Sequence, residues 1–328
     1  MIFSDKRFLI TGAGGFVGGH LLNLFDSLKE SVTVLGIDRF AAPRIEVVDL
    51  MDQDLLDRVV ADFRPDFVIH LAAGSSVAES WQAPAAYFLN NTSVFLNLLD
   101  AVRTSVPRCR ILSVGSAEVY GGTAAAILPF REETPLEPQN PYAVGRLAQE
   151  QLAKVYRDGF GLDIVSTRSF NHTGLGQSLR FAVPSFVRQL VDAKRRGEKR
   201  AVLRTGNVDV VRDLSDVRDV TAAYLLLLEK GRSGEVYNVC SGKGRTLRSV
   251  IETAAQLLEL DVDIVLDEGL LRPNDVPAFI GSNDKLVRET AWQPTIAFET
   301  TLRDMTACYT ANGDNLAVFS SPPPLGEG

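Results

Sequence analysis

The amino-acid sequence predicts an α/β fold, a doubly wound parallel sheet with a smaller second α/β lobe. Three observations predict it. Short apolar runs alternate with stretches of helical spacing from Arg7 to Thr167. A glycine triplet stands where the first run gives way to the first helical stretch. After Arg168 the rhythm changes to longer loops between shorter elements. Strands that alternate with helical stretches of about 10–15 residues need crossover connections, which give a parallel sheet covered on both faces.

The elements follow in order. Arg7-Phe-Leu-Ile-Thr11 is a short buried strand. Residues 18–28 place Leu21, Leu22, Leu24, Phe25 and Leu28 at helical spacing. Residues 31–37 are rich in β-branched residues and stop at Asp38. A helix is expected from about residue 52 to 64, a strand over 65–71, a helix over 85–102 and a strand over 110–115. A further helix over 141–158 and a strand over 162–167 complete the first lobe. In the second lobe, 183–196 and 247–260 read as helices, with loops at 171–180, 206–212 and 267–278. The expected divisions are a first domain over 1–168, which carries the glycine triplet, with return segments near 210–240, and a smaller second lobe over 169–312. The end, 313–328, is expected to be a flexible tail, because Ser-Ser-Pro-Pro-Pro at 320–324 cannot build a core.

Composition narrows the function. The 328 residues are 45% apolar and 23% charged, which excludes collagen, coiled coil and wholesale disorder. The net charge of −7 lacks the electrostatic footprint of a nucleic-acid binder. Cys109, Cys240 and Cys308 show no paired or zinc-like spacing, so neither a disulfide framework nor a metal site is expected. The start has charges at Asp5, Lys6 and Arg7 and does not read as a signal peptide. The apolar run 222–228 is far short of the ~20 residues of a membrane span. A cytoplasmic protein with no membrane partner is expected.

The glycine triplet is the strongest motif. Gly12, Gly15 and Gly18 follow a strand and open a helix. Glycines allow the tight turn and let backbone amides approach a pyrophosphate, which the helix N-terminus also attracts. Asp38 ends the next strand, where a carboxylate partners the adenosine ribose hydroxyls. This is the fingerprint of a Rossmann-type domain. Asp38 favours NAD(H), since a carboxylate repels a 2′-phosphate. Arg39 beside it leaves NADP(H) open.

A reacting constellation lies downstream. Tyr142 and Arg146 are four apart on a helix introduced by Asn140-Pro141, hence on one face. Ser116 lies at the carboxyl end of the strand over 110–115, where ligands of open parallel sheets bind. A phenol, a hydroxyl and a cation beside a nicotinamide suit hydride transfer at a carbonyl carbon.

With these residues in place the sequence resembles a known family. Thr11-Gly-x-x-Gly15-Phe-x-Gly18, Asp49-Leu50, His70-Leu-Ala-Ala73, Asn91, Ser116-x-x-x-Tyr-Gly121 and Tyr142-x-x-x look like the extended short-chain dehydrogenase/reductases acting on nucleotide sugars. The resemblance covers about residues 5–305. The stretches 168–177, 210–217, 236–242 and 271–276 are similar to GDP-4-dehydro-6-deoxy-D-mannose reductases and, next, to GDP-mannose 4,6-dehydratases. The resemblance implies Ser116 and Tyr142 as catalytic residues, with Arg146 in the position of the motif's cation. It implies cofactor contacts from Phe16, Val17, Asp49, Leu50, Leu71, Ala72, Ala73 and Asn91. Asn171, Arg212 and Arg272 would hold the nucleotide diphosphate end. Ser75, Ser76 and His172 would touch the sugar. A GDP-linked sugar is the favoured substrate and a homodimer the expected assembly.

Two features keep alternatives open. The family motif ends in lysine, and position 146 is arginine. Its planar guanidinium is no conservative replacement, so a shifted geometry or a weakened activity follows. Glu118 stands where 4,6-dehydratases carry the carboxylate that removes the C5 proton. Reductase is the leading expectation. A dehydratase or epimerase with a recycled cofactor is the second, and a dinucleotide-binding protein without turnover the third.

Overall fold

A computed structural model describes residues 3–29, 31–122, 127–271 and 276–312. The first half of the chain contributes β1 (Lys6–Thr11), α1 (Phe16–Ser27), β2 (Val32–Asp38), β3 (Ile45–Val47), α2 (Gln53–Phe63), β4 (Phe67–His70), α3 (Val77–Gln82), α4 (Pro84–Ser105), β5 (Arg110–Ser116), α5 (Pro141–Phe160) and β6 (Asp163–Ser169). There follow β7 (Asn171–Thr173), α6 (Ala182–Arg195), β8 (Arg200–Thr205), β9 (Val211–Asp216), α7 (Val217–Lys230) and β10 (Val236–Val239). The last elements are β11 (Gly244–Thr246), α8 (Leu247–Leu257), β12 (Asp261–Leu266), β13 (Ala278–Phe279), α9 (Asp284–Thr290) and α10 (Phe298–Asn312).

Seven strands form one parallel sheet in the order β3-β2-β1-β4-β5-β6-β10. The alternation of side chains along each strand divides them between two cores. Phe8 and Ile10 of β1 join Leu21 and Phe25 of α1 and Tyr224 and Leu228 of α7. Leu9 between them joins Leu56 of α2 and Phe95 and Leu98 of α4. The Rossmann-type doubly wound architecture is therefore present. Its strand order reverses between β1 and β4, and a crevice opens at the carboxyl ends of such a pair.

Helix ends follow local chemistry. Asp52 caps α2 by accepting the Leu55 N–H at 3.0 Å. Asn140 caps α5, Pro141 fills its first turn, and Gly161 stops it in a left-handed conformation (φ +73°).

After β6 the chain leaves for the second lobe and returns. α7 packs in the same core as Phe8, and β10 pairs with the edge of β6. Leu286 and Trp292 join that core as well. The second lobe has β11-β9-β13 with β7 on β9, plus a β8–β12 parallel pair. Phe186 and Leu190 of α6, Ile251 of α8 and Leu302 and Met305 of α10 fill a third core.

The second lobe differs from expectation in its details. β7 and β9 lie within or overlap the spans read as loops. The helix expected to reach residue 260 ends at Leu257, because Glu259 turns the chain at φ +55° into β12. Residues 313–328, expected to be a tail, lie outside the described residues. Among the described residues no helix is long and apolar enough to cross a membrane.

Candidate active site

The crevice is lined from one end by the glycine turn. Gly12 is left-handed at φ +71°, and a Cβ there would lie 2.7 Å from the Ala72 nitrogen. A Cβ at Gly18 would lie 2.5 Å from the Ala13 carbonyl oxygen. Both obstacles are backbone and cannot give way. At Gly15 a Cβ would meet only the Gly12 oxygen, at 3.3 Å, and Gly15 lines the cavity. Gly15 gives α1 no side-chain cap, so the first N–H groups and the positive end of the dipole remain for an anion. Phe16, Val17 and Gly18 line the same cavity. This uncapped, backbone-tight cradle fits a dinucleotide pyrophosphate.

Asp38 ends β2 and accepts the N–H groups of Gly14 (3.2 Å) and Phe40 (3.3 Å). Burial pushes its carboxyl up from the ordinary range, and these hydrogen bonds oppose that only in part. Arg39 stands over the Phe40 ring, 4.8 Å from its centre, and also lines the cavity. Asp49 and Leu50 line it too; Asp49 accepts the Met51 N–H at 2.9 Å and the Leu50 carbonyl accepts from Asn97 at 2.8 Å.

Leu71, Ala72 and Ala73 follow β4 along the cavity wall. Thr11 Oγ1 lies 2.8 Å from His70 Nδ1 and fixes the strand ends together. Burial, then the nearby Arg146, pushes His70 down to about 3, so its ring is neutral. Asn91 stands behind this wall. Its Oδ1 accepts the Gly74 N–H at 2.8 Å and its Nδ2 donates to the Gly74 carbonyl at 3.1 Å, so it shapes the loop that carries Ala73.

The reacting groups come from β5 and α5. Tyr142 and Arg146 are both nearly buried and both line the cavity. Arg146 Nε donates to the Tyr142 hydroxyl at 3.2 Å, and its guanidinium carbon is 5.2 Å from the ring centre. Arg146 Nη1 donates to the Val114 carbonyl (3.1 Å) and to Gln149 Oε1 (2.8 Å). Ser116 ends β5, and its Oγ accepts the Glu118 N–H at 3.2 Å, capping the 3₁₀ turn Ala117–Tyr120. The Ser116 O–H has no acceptor among the described residues, and Ser116 lines the cavity. Asn140 Oδ1 accepts the Ala143 N–H (2.8 Å) while its Nδ2 donates to Glu118 Oε2 (3.1 Å). One residue thereby sets α5 against the turn that carries Ser116 and Glu118.

The opposite wall belongs mainly to the second lobe. Asn171 is exposed on β7 and lines the cavity. His172 Nδ1 lies 3.0 Å from the Phe170 carbonyl oxygen, and its ring stacks on Phe16 with centroids 6.2 Å apart. Ser75 lines the cavity, and Ser76 caps α3 by accepting the Glu79 N–H at 3.2 Å. Arg212 is absent from the cavity wall; its Nη1 donates to the carbonyls of Val211 (2.9 Å) and Val276 (2.7 Å). Arg272 lies outside the described residues. Sequence reasoning missed Asn140 and Gln149 as members of the site. It also missed an ion pair between Glu79 of α3 and Arg180 of the second lobe, both on the cavity wall. An Asn before Pro141 and the i, i+3 spacing of Arg146 and Gln149 were the local signals for the first two, whereas the Asn140–Glu118 and Glu79–Arg180 contacts join distant segments that no local pattern announces.

Known proteins are similar to this chain in sequence and fold. Residues 9–305 match the family described as GDP-mannose 4,6 dehydratase. The GDP-6-deoxy-D-mannose reductase of Pseudomonas aeruginosa is 36% identical over 298 residues, 91% of this chain and 95% of that protein. The solved structure of RMD from Pseudomonas aeruginosa complexed with NADPH has a TM-score of 0.84 at 35% identity, covering 94% of this chain and 99% of that one. The UDP-glucose 4-epimerase of Thermus thermophilus in complex with NAD has a TM-score of 0.80 at 28% identity, with 94% and 99% coverage. Fold, glycine cradle and matched length agree: the chain belongs to the GDP-mannose 4,6-dehydratase family, within the extended short-chain dehydrogenase/reductases that act on nucleotide sugars.

Proposed function

We propose that this protein reduces the C4 ketone of a GDP-4-keto-6-deoxy-hexose. The observation that carries this reading is that Tyr142, Ser116 and Arg146 line one cavity with the uncapped glycine turn. The likeness to a protein named GDP-6-deoxy-D-mannose reductase supports the substrate class. A reduced nicotinamide, when bound, supplies the hydride. Gly12, Gly15 and Gly18 hold its pyrophosphate, Asp38 and Arg39 its adenosine ribose, and Asp49 and Leu50 its adenine. Ser116 donates to the ketone oxygen and orients it. Tyr142 gives that oxygen its proton. Arg146 balances the charge left on the phenolate through the hydrogen bond it already makes. Asn171, Arg212 and Arg272 are assigned to the nucleotide diphosphate, and Ser75, Ser76 and His172 to the sugar. Asp38 favours NAD(H), with NADP(H) accepted beside Arg39.

We assign the assembly as a cytoplasmic homodimer. Phe88, Leu89 and Leu96 of α4 and Val144 and Val155 of α5 leave apolar side chains exposed, which a second copy would cover.

A second reading, a 4,6-dehydratase or epimerase, draws on Glu118. This carboxylate lines the cavity and is held by Asn140. The reduced-nicotinamide absorbance separates the two. Steady loss with a 4-keto sugar supports the reductase. Turnover of a nucleotide sugar with no loss supports the alternative. Tight coenzyme binding with no turnover across GDP-, UDP-, dTDP- and CDP-sugars would leave only a dinucleotide-binding protein.

A further inference from the structure

We propose that Gln149 is a positioning residue for this reaction: it fixes the plane of the Arg146 guanidinium, so that one nitrogen serves Tyr142 while another faces the coenzyme side of the cavity. The inference rests on the reading above and follows from the arginine that replaces the family's lysine.

An ammonium is a compact point charge that can turn to any acceptor. A guanidinium carries five N–H donors in one plane, so burying it requires acceptors in that plane. Arg146 is 5% exposed and makes no hydrogen bond to a carboxylate among the described residues. Nε is directed to Tyr142. Nη1 is held by the Val114 carbonyl and by Gln149 Oε1, the shorter contact at 2.8 Å. Nη2 has no hydrogen bond within the described residues, and Arg146 lines the cavity. With Nε and Nη1 both fixed, the direction of Nη2 is fixed too.

Gln149 is built for this task. It is 1% exposed, three residues beyond Arg146 on the same helical face. Its Nε2 donates to Ser113 Oγ (2.9 Å) and to the Val114 carbonyl (3.2 Å), which anchors it to β5. The amide has one permissible orientation. Reversed, it would set two donors together at Nη1 and two acceptors together at the Val114 carbonyl. A glutamine also grips the cation without cancelling it. A glutamate there would neutralise the charge that the phenolate needs.

The test compares four full-length proteins: wild type, Gln149→Met, Arg146→Lys and the double variant. Methionine keeps the length and apolar volume and removes the acceptor. Two readouts are taken, coenzyme affinity by quenching of protein fluorescence and steady-state kinetics. In the arginine background, Gln149→Met weakens NADH and NADPH binding about tenfold, the loss of one charged hydrogen bond. It lowers kcat about tenfold through misplacement, with KM for the keto sugar changed less than about twofold. In the lysine background the same substitution changes both readouts less than about twofold, because an ammonium has no plane to fix.

Equal losses in both backgrounds would reduce Gln149 to a packing residue and overturn the proposal. So would a Gln149→Met protein with wild-type affinity. If Gln149→Met does not fold, Ser113→Ala removes the far anchor and is expected to weaken coenzyme binding about threefold; unchanged affinity then overturns it. Absence of keto-sugar turnover in wild type defeats the proposed function alone, because the affinity comparison still decides the role of Gln149.

Discussion

Asp38 is pinned by two backbone N–H groups, so the direction of its carboxylate is set by the fold. In the role proposed above, that carboxylate would accept from the ribose hydroxyls and repel a 2′-phosphate. Asp38→Ser is expected to raise the NADPH-over-NADH ratio of kcat/KM at least about tenfold, and Arg39→Ala to lower it. The same carboxylate gives a pH effect of known sign. Burial raises its folded value, so the folded chain binds a proton more readily than the unfolded one. The stability it contributes is present at acid pH and lost as pH rises above the ordinary carboxylate range of about 4. Measured without coenzyme against Asp38→Asn, the wild type should lose ground in thermal midpoint from pH 4 towards pH 6. A difference that grows in the opposite direction would contradict the buried carboxylate. At the reacting centre, Tyr142→Phe removes the only proton assigned to the ketone oxygen. Turnover should vanish while coenzyme binding persists, and a variant with full activity would remove Tyr142 from the mechanism.

Elements aim these residues, and the start of α5 is where two of them meet. Asn140 both caps the helix and holds Glu118. Asn140→Ala is expected to cost about 1 kcal/mol in stability, as lost caps do, and to lower kcat by releasing the turn that carries Ser116. Asn140→Asp keeps the cap acceptor but sets a carboxylate against Glu118, so denaturation should show stability restored further than kcat. The first lobe was legible because its elements are long enough to declare a period. Leu21, Leu22 and Phe25 are buried on α1 as their spacing requires, and the glycines before them lie where only backbone fits. The second lobe was less legible because β7 and β11 are three residues each, too short to alternate. β8 does alternate, with Ala201, Leu203 and Thr205 buried between Arg200, Val202 and Arg204, but its charged face hid it among polar segments. Arg212 shows the limit for single residues. Its Nη1 donates to two carbonyls, and one of them lies 64 positions away, a contact that no local pattern announces.

At the scale of the whole molecule the two lobes are interleaved. Val220, Tyr224, Leu227 and Leu228 of α7, and Tyr237 of β10, belong to the core that Phe8 and Ile10 begin. A fragment ending at residue 168 would lack them all and would leave the edge of β6 without its partner. Such a fragment should not fold alone, which circular dichroism and amide dispersion would show; a cooperative melt of 1–168 would refute it. Because both lobes wall the cavity, a ligand there stabilises the molecule as one unit. A ligand at a hundred times its Kd adds about 2.7 kcal/mol. For a chain of this size each kcal/mol moves the midpoint by roughly 2–4 °C, so a shift of about 5–10 °C is expected. A thermal screen with GDP, UDP, dTDP and CDP, each alone and with NAD or NADP, should show one transition throughout. The shifts from nucleotide and coenzyme should combine within it, with GDP the most effective base. Two transitions, with coenzyme moving only one, would mean that the lobes melt apart and that no shared cavity couples them. A larger shift from UDP or dTDP would keep the catalytic assignment and replace the substrate.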